Sequence, residues 1–454
     1  MALGISADDE AALAALTKQF NAENEDVQVT LRVYATESEK NYYLSHNADD
    51  CDMYAFNYAF SANRYKDRLL SLDRNACTNR YLVSIVNGLR ASDESLYVLP
   101  ADGYYYTQCF NIDMLTARGL ELPSTFTDLK MLASRLKAYA SGTDEPSSAS
   151  VGGTDSVLFA LMSVAYPQYL NTVRVATFLS RLADGGVSVL DEEYRTEWED
   201  IFENLQMLYD ENFYFLQDIS QSLGKGLSRF NGGEAYALQN GSNVNAAKDI
   251  SKDLNVKYTA FVGNEERDAC FGSMPALYLS LSASLKDDGA KLSAAQRILD
   301  YFATAEGQNL LHRPDTGNEY ISYLKRSSSN LPEIYADLQD KVNEGRLFVV
   351  DSFSQIFGSC IGDIASYLSN SINLDKLLVK IDESRRSTGT SNRNTKARAG
   401  AGDFRATRFA DGRKNFREQK ARRRLGFHRG NSVRDQRGDG ERSGGSGYGK
   451  YRSV

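Results

Sequence analysis

The sequence predicts an α/β fold followed by a tail of a different kind of polypeptide. Three observations carry that reading. Segments of helical and strand periodicity alternate from the first residues onward, the pattern of a mainly parallel sheet with helical crossovers. The 454 residues are enough for more than one domain, since single cores usually stop growing well before that length. Charge divides abruptly near residue 385. Residues 385–454 hold 20 Lys+Arg against 6 Asp+Glu, net +14, whereas the preceding residues hold 32 against 54, net −22.

The elements follow in order. Leu3-Gly-Ile5 reads as what is left of a first strand. Ser6-Ala-Asp-Asp9 has the S-x-x-D pattern of a helix start, and Leu13, Leu16 and Phe20 recur on one buried face behind it. Val27, Val29, Leu31 and Val33 alternate with polar residues, predicting a strand. Cys51–Phe56 and Leu96–Leu99, up to Pro100, predict two more. Ala140–Thr154, acidic and rich in Ser and Gly, predicts a loop. Trp198, Ile201, Phe202, Leu205, Leu208 and Tyr209 form a 3.6-residue stripe, which packs a core rather than lining a site. Ala295, Ile298, Leu299 and Phe302 predict a further amphipathic helix running to Gly307. Beyond Asp382 apolar periodicity stops. The Arg/Gly/Ser/Asn-rich remainder cannot bury enough surface to offset its chain entropy and is expected to be disordered.

Hydrophobic content of 42% and charged content of 25% are those of a globular protein. No run of roughly 18 apolar residues, the length that a membrane span needs, is present. The first ten residues show no basic n-region and no apolar h-region. Cys51, Cys77, Cys109, Cys270 and Cys360 are scattered singly, which excludes a Cys-rich zinc module. One bridge is compatible with the count, and most of the five are expected as small buried hydrophobes. Neither a metal nor a cofactor is implied.

Six segments in a fixed order carry a resemblance. They are Leu16–Asn24 with Val27-Gln-Val29; Cys51–Phe56; Leu99-Pro100 with Tyr104–Tyr106 and Asn111-Ile-Asp113; Gly119–Pro123 with Thr125–Leu129; Phe230–Gly233 with Ala235–Ser242; and Ala294–Phe302 with Ala305–Gln308. Together they resemble the family 1 extracellular solute-binding proteins, the receptors of ABC importers that include maltose- and oligosaccharide-binding members. The resemblance spans most of residues 1–382. It implies a two-lobed periplasmic-binding-protein-like (type II) fold in which a solute is trapped by closure about an interlobe hinge. It also implies delivery to permease transmembrane subunits, a monomeric receptor and an extracytoplasmic location, at the cell surface or in the periplasm. In the family a signal peptide and, in Gram-positive lipoprotein members, a lipid-anchored cysteine stand upstream of the first strand, so the chain reads as shortened at its N-terminus. Residues 1–384 are expected to form the receptor, lobe one from about 1–105 with a returning segment near 255–310, and lobe two from about 110–250 with 315–384.

A sugar offers hydroxyls on its edge and C–H groups on its faces, so a sugar site needs aromatic platforms together with converging carboxylates and amides. The 27 tyrosines are frequent where the resemblance puts the cleft. Candidate ligand contacts are Tyr54 and Tyr58 at the second strand's end, Asp102, Tyr104 and Tyr105 in the first crossover, and Gln239, Asn240 and Ser242 beyond a helix end expected at Leu238. Phe271 is a further one. In the run Tyr104–Tyr106 alternate side chains face opposite ways, so at least one belongs to the core. At Ser6 and Asp8, the first helix start, capping and ligand contact are both open. A Tyr-rich cleft also suits a peptide, a polyamine or an aromatic metabolite.

Catalysis finds little support. His46, His312 and His428 are far apart, and H-E-x-x-H, G-x-S-x-G and Walker-type motifs are absent. A pair of carboxylates acting on a glycosidic bond is the remaining enzymatic reading. The basic tail offers a nucleic-acid arm as an alternative, or a stretch translated out of frame.

Overall fold

The computed structural model describes residues 1–46, 51–142, 151–152, 161, 164, 188–214, 223–239, 250–251, 253–311, 322–325, 339–350 and 356–390. Strands β1 (Ala2–Ser6), β2 (Thr30–Tyr34), β3 (Met53–Phe56) and β4 (Leu99–Pro100) come first. They are followed by β5 (Gly103–Tyr106), β6 (Gln108–Asn111), β7 (Val151–Gly152) and β8 (Ala237–Gln239). The last four are β9 (Val256–Thr259), β10 (Phe271–Pro275), β11 (Tyr278–Leu281) and β12 (Leu347–Val349).

Three sheets result. The first has the order β2-β1-β3-β11-β4, with β1 parallel to both β2 and β3 and with β11 antiparallel to β3 and β4. The third has the order β7-β8-β6-β9. Between them in chain order stands the small sheet β12-β10-β5, built from crossover segments. Strand β5 leads from β4 of the first sheet to β6 of the third, and β10 returns from β9 of the third to β11 of the first. Two lobes joined by paired crossovers follow from this connectivity.

Two hydrophobic cores accompany the sheets. In the first, Leu3, Ile5, Met53 and Ala55 meet Leu13, Leu16 and Phe20 of the helix Glu10–Glu23 and Ile298, Leu299 and Phe302 of the helix Gly289–Phe302. Each of these side chains is fully covered, a gain of roughly 1.5–3 kcal/mol for a large one. The second core gathers Phe110, Leu129, Leu136, Ile201, Phe202, Leu205, Ile364 and Leu378. Trp198 is part of it, with ring centroids 6.1 Å from Phe202 and 5.5 Å from Phe357, as its helical spacing predicts. The third sheet is buried on both faces, since Cys109 of β6 joins the first core and Phe110 the second.

Several boundaries differ from the sequence reading. The residues Leu3-Gly-Ile5 belong to β1, which lies between β2 and β3 and pairs with both. Pairing in β2 begins only at Thr30, because the Asn21 side chain occupies both backbone groups of Val29, its amide donating to the carbonyl at 2.9 Å and its oxygen accepting from the N–H at 2.7 Å. Of the loop predicted over Ala140–Thr154, residues 140–142 instead end the helix Phe126–Gly142 and Val151–Gly152 form β7, while 143–150 and 153–154 lie outside the described residues. The helix expected to run to Gly307 breaks at Ala303–Thr304. Thr304 Oγ1 accepts from Gly307 N–H at 3.0 Å to start Ala305–Leu311, and a Cβ at Gly307 would stand 2.2 Å from the Tyr301 carbonyl.

The last helix, Leu374–Thr390, passes the expected boundary at 384. Residues 256–259 pair with β6, so the return to lobe one begins after them and not at residue 255. Residues 322–325 still pair with the first lobe, through Tyr81 and Leu324. The expectations for residues 391–454 lie outside the described residues.

Among the described residues no helix is long and apolar enough to cross a membrane. All five cysteines are buried and unbridged. Burial pushes the Cys77 and Cys109 thiols up to about 12.

Candidate ligand-binding site

In open α/β sheets, ligands gather outside the carboxyl ends of the parallel strands. In the first sheet those ends are Ser6, Tyr34 and Phe56, and Phe56 pairs with Tyr278, which in turn pairs with Pro100 beside the crossover. In the third sheet the ends of β7, β8 and β9 lie with Gln108, the first residue past the crossover. Both carboxyl edges therefore adjoin the crossover strands, and a solute held between the lobes would meet them.

At the first edge Ser6 is buried, and its hydroxyl donates to the Asp9 carboxylate at 2.6 Å. The expected capping bond to a backbone N–H is not made there: a 3-10 turn, Ala7–Asp9, precedes the helix. Asp8 is exposed on that turn. Tyr54 is 2% exposed and packs in the first core against the bare backbone of Gly4, where a Cβ would stand 3.0 Å from its ring. It is thus enclosed rather than presented at an edge. Tyr58, one residue before the short helix Ala59–Asn63, is half-buried with its ring 5.5 Å from Phe60. Both rings pack with the second core although they directly follow β3 of the first sheet, which puts them where the lobes meet. Arg64 lies 4.9 Å over the Phe60 ring, and burial lowers its pKa.

The crossover holds Asp102 buried, with its backbone N–H donating to Gln308 Oε1 at 2.5 Å. Gln308 also donates to the Phe302 carbonyl at 2.6 Å, so this amide ties the crossover to the helix pair of lobe one. Burial pushes the Tyr81 hydroxyl well above its ordinary range, with the neighbouring Cys77 and Asp102 adding to the effect. Gly103 admits no side chain: a Cβ there would lie 2.2 Å from the Met274 carbonyl and 2.6 Å from the Tyr323 hydroxyl. Tyr104 and Tyr105 pair with Met274 and Ser273 in β5, while Tyr106 is the core member of the run, its hydroxyl 3.6 Å from Met274 Sδ. Phe271 is fully buried in the first core. Leu238 lies in strand β8 rather than at a helix end, because Ala237–Gln239 pair with β6, and Gln239 ends that strand opposite Gln108. Asn240 and Ser242 lie outside the described residues.

A group at the carboxyl edges escaped the sequence reading. Lys40 is fully covered, donates to Glu37 at 2.7 Å and to the Ala55 carbonyl of β3, and lies 4.2 Å from the Phe56 ring centroid. Burial raises the Glu37 carboxyl, opposed by the Lys40 charge. In the sequence, Glu37-Ser-Glu-Lys40 reads as an ordinary solvated helix face.

No group of three or more His, Cys, Asp or Glu among the described residues could hold a metal ion. The edges offer hydroxyls, amides, carboxylates and aromatic faces.

No protein-family model and no curated protein sequence matches the chain. Solved structures do. A family 1 extracellular solute-binding protein from Bifidobacterium longum subsp. infantis is similar with a TM-score of 0.69 at 12% identity, over 85% of this chain and 99% of that one. The bacterial solute receptor AcbH, described as exclusive for β-D-galactopyranose, is similar with a TM-score of 0.63 at 12% identity, over 86% and 98%. A chitin oligosaccharide binding protein follows with 0.55 at 15% identity, over 87% and 99%. The fold of this chain is that of the two-lobed extracellular solute-binding proteins.

Proposed function

We propose that this protein is the capture component of an ABC importer, holding a mono- or oligosaccharide between its lobes and delivering it to permease subunits outside the cytoplasmic membrane. The observation that carries the reading is the likeness to solute receptors over nearly their whole length, two of which bear the names of sugar ligands. The chain's own residues agree with it. Tyr58 and Phe60 stand where the lobes meet, and uncharged polar residues end the strands of the third sheet. Ser6, Asp8, Tyr58, Asp102, Tyr104, Tyr105, Gln239, Asn240 and Ser242 remain the proposed ligand contacts. Tyr54 and Phe271 support the site from within the first core. The protein acts as a monomer and catalyses no reaction.

A thermal-shift screen of monosaccharides, oligosaccharides, peptides and polyamines tests the proposal. A sugar should raise the melting temperature and change tyrosine fluorescence. Stabilisation by peptides or polyamines alone would replace the carbohydrate reading with a different solute, and release of reducing sugar from an oligosaccharide would establish an enzyme.

A further inference from the structure

A buried amide with neither its donor nor its acceptor engaged is rare in a folded protein, because each lost hydrogen bond leaves the desolvation cost unrepaid. Gln108 is such a residue. Its side chain is fully covered, and neither Nε2 nor Oε1 has a hydrogen-bond partner among the described residues. The residue directly opposite on β9, Thr259, also has a covered hydroxyl without a partner, although the residue itself is only half-buried. Two adjacent polar side chains thus lack partners at the same point of the fold.

That point is not arbitrary. Gln108 and Thr259 stand at the carboxyl edge of the third sheet, one residue beyond Thr107, the only residue between β5 and β6. Thr107 Oγ1 donates to the Thr259 carbonyl, fastening the two strands where the chain crosses between lobes. The amide therefore stands beside the chain's passage between the lobes. Elsewhere in β6, Cys109 and Phe110 satisfy the packing with apolar atoms, and an apolar residue at 108 would do the same.

We infer that Gln108 and Thr259 are specificity-determining contacts of lobe two, and that their open hydrogen-bonding positions are completed by hydroxyl groups of the ligand. The inference rests on the capture function proposed above and deepens it. A carboxamide supplies one donor and one acceptor side by side, which matches a pair of neighbouring hydroxyls, and the threonine hydroxyl can act as either. Neither residue carries charge, so the pair selects a neutral polyhydroxylated solute over a polyamine or an ionised peptide terminus. The unpartnered state in the absence of ligand is the cost of that selectivity, since local rules are most often broken at functional sites.

The test uses the full chain and two nearly isosteric variants, Gln108→Met and Thr259→Val, with D-galactose and a chitin disaccharide as probes. Calorimetric titration gives affinity, and thermal unfolding of the unliganded protein gives stability. Gln108→Met should raise the unliganded Tm by about 1–4 °C, because an unpaired buried group is removed, and should weaken sugar binding by about tenfold or more. Thr259→Val should weaken binding without disturbing the Thr107 bond, which uses the backbone carbonyl of residue 259. Unchanged affinity in both variants would overturn the inference. So would a lower unliganded Tm in Gln108→Met, which would reveal an internal partner for the amide. If neither sugar binds the parent protein, the choice of these sugars fails. The unliganded Tm of Gln108→Met still bears on the inference, because a fall would refute the open amide on which it rests.

Discussion

Lys40→Met is expected to destabilise lobe one by about 3 kcal/mol, the lower end of what breaking one partner of a buried ion pair costs. The Lys40 ammonium is fully covered, and it serves the Glu37 carboxylate at 2.7 Å, the Ala55 carbonyl and the Phe56 ring face together. Methionine retains most of the volume, so what is lost is the charge and the two donated bonds. Glu37 keeps 22% of its side-chain surface exposed, which lets water replace part of the loss and sets the estimate at the lower end. For a folded part of roughly 390 residues, an unfolding entropy of about 2.1 cal/mol/K per residue sums to about 0.8 kcal/mol/K, so the Tm should fall by about 4 °C. Differential scanning calorimetry of Lys40→Met and of the double variant Lys40→Met/Glu37→Leu reads this directly. The double variant should recover most of the loss, because replacing both members of a buried pair by apolar residues is often neutral. A Lys40→Met protein as stable as the parent would refute the reasoning.

Three other expectations follow from the same structure. Arg297 binds Asp26 through its two terminal guanidinium nitrogens, at 2.6 and 3.1 Å, and this hydrogen bonding holds the Asp26 carboxyl below its usual range. Stability from the pair is therefore complete above the unfolded carboxyl value and is lost as pH falls through the lower native one. An NMR titration should show the Asp26 midpoint rising in Arg297→Ala. Gln308→Leu should cost roughly 2–4 kcal/mol in urea unfolding, because it strands the Asp102 N–H and the Phe302 carbonyl in the interior. All five thiols should react slowly with a disulfide reagent in the native protein and quickly in denaturant, since each is buried and burial holds Cys77 and Cys109 at about 12. Rapid native labelling would contradict the packing described for them.

Local periodicity by itself determined much of this protein. The faces Leu13-Leu16-Phe20 and Trp198-Ile201-Phe202-Leu205 are buried as their spacing requires, because a helix face is set by residues three and four apart. The six ordered segments that resemble the family 1 solute-binding proteins also implied a two-lobed fold, which the connectivity of the three sheets and the likeness to solved structures bear out. The tyrosine run showed that its members must divide, and Tyr106 proved to be the core one. Only tertiary structure decided which polar residues stand in the interior. Lys40 and Gln108 look like surface residues in the sequence, since their burial depends on Ala55, Phe56, Gln239 and Thr259, which lie 15 to more than 100 positions away. Tyr54 was equally illegible. A strand residue can face a ligand or its own core, and what turned Tyr54 inward was the space left by Gly4 on the neighbouring strand. Periodicity reports which side of an element is covered, whereas the partner that covers it is a matter of long-range packing.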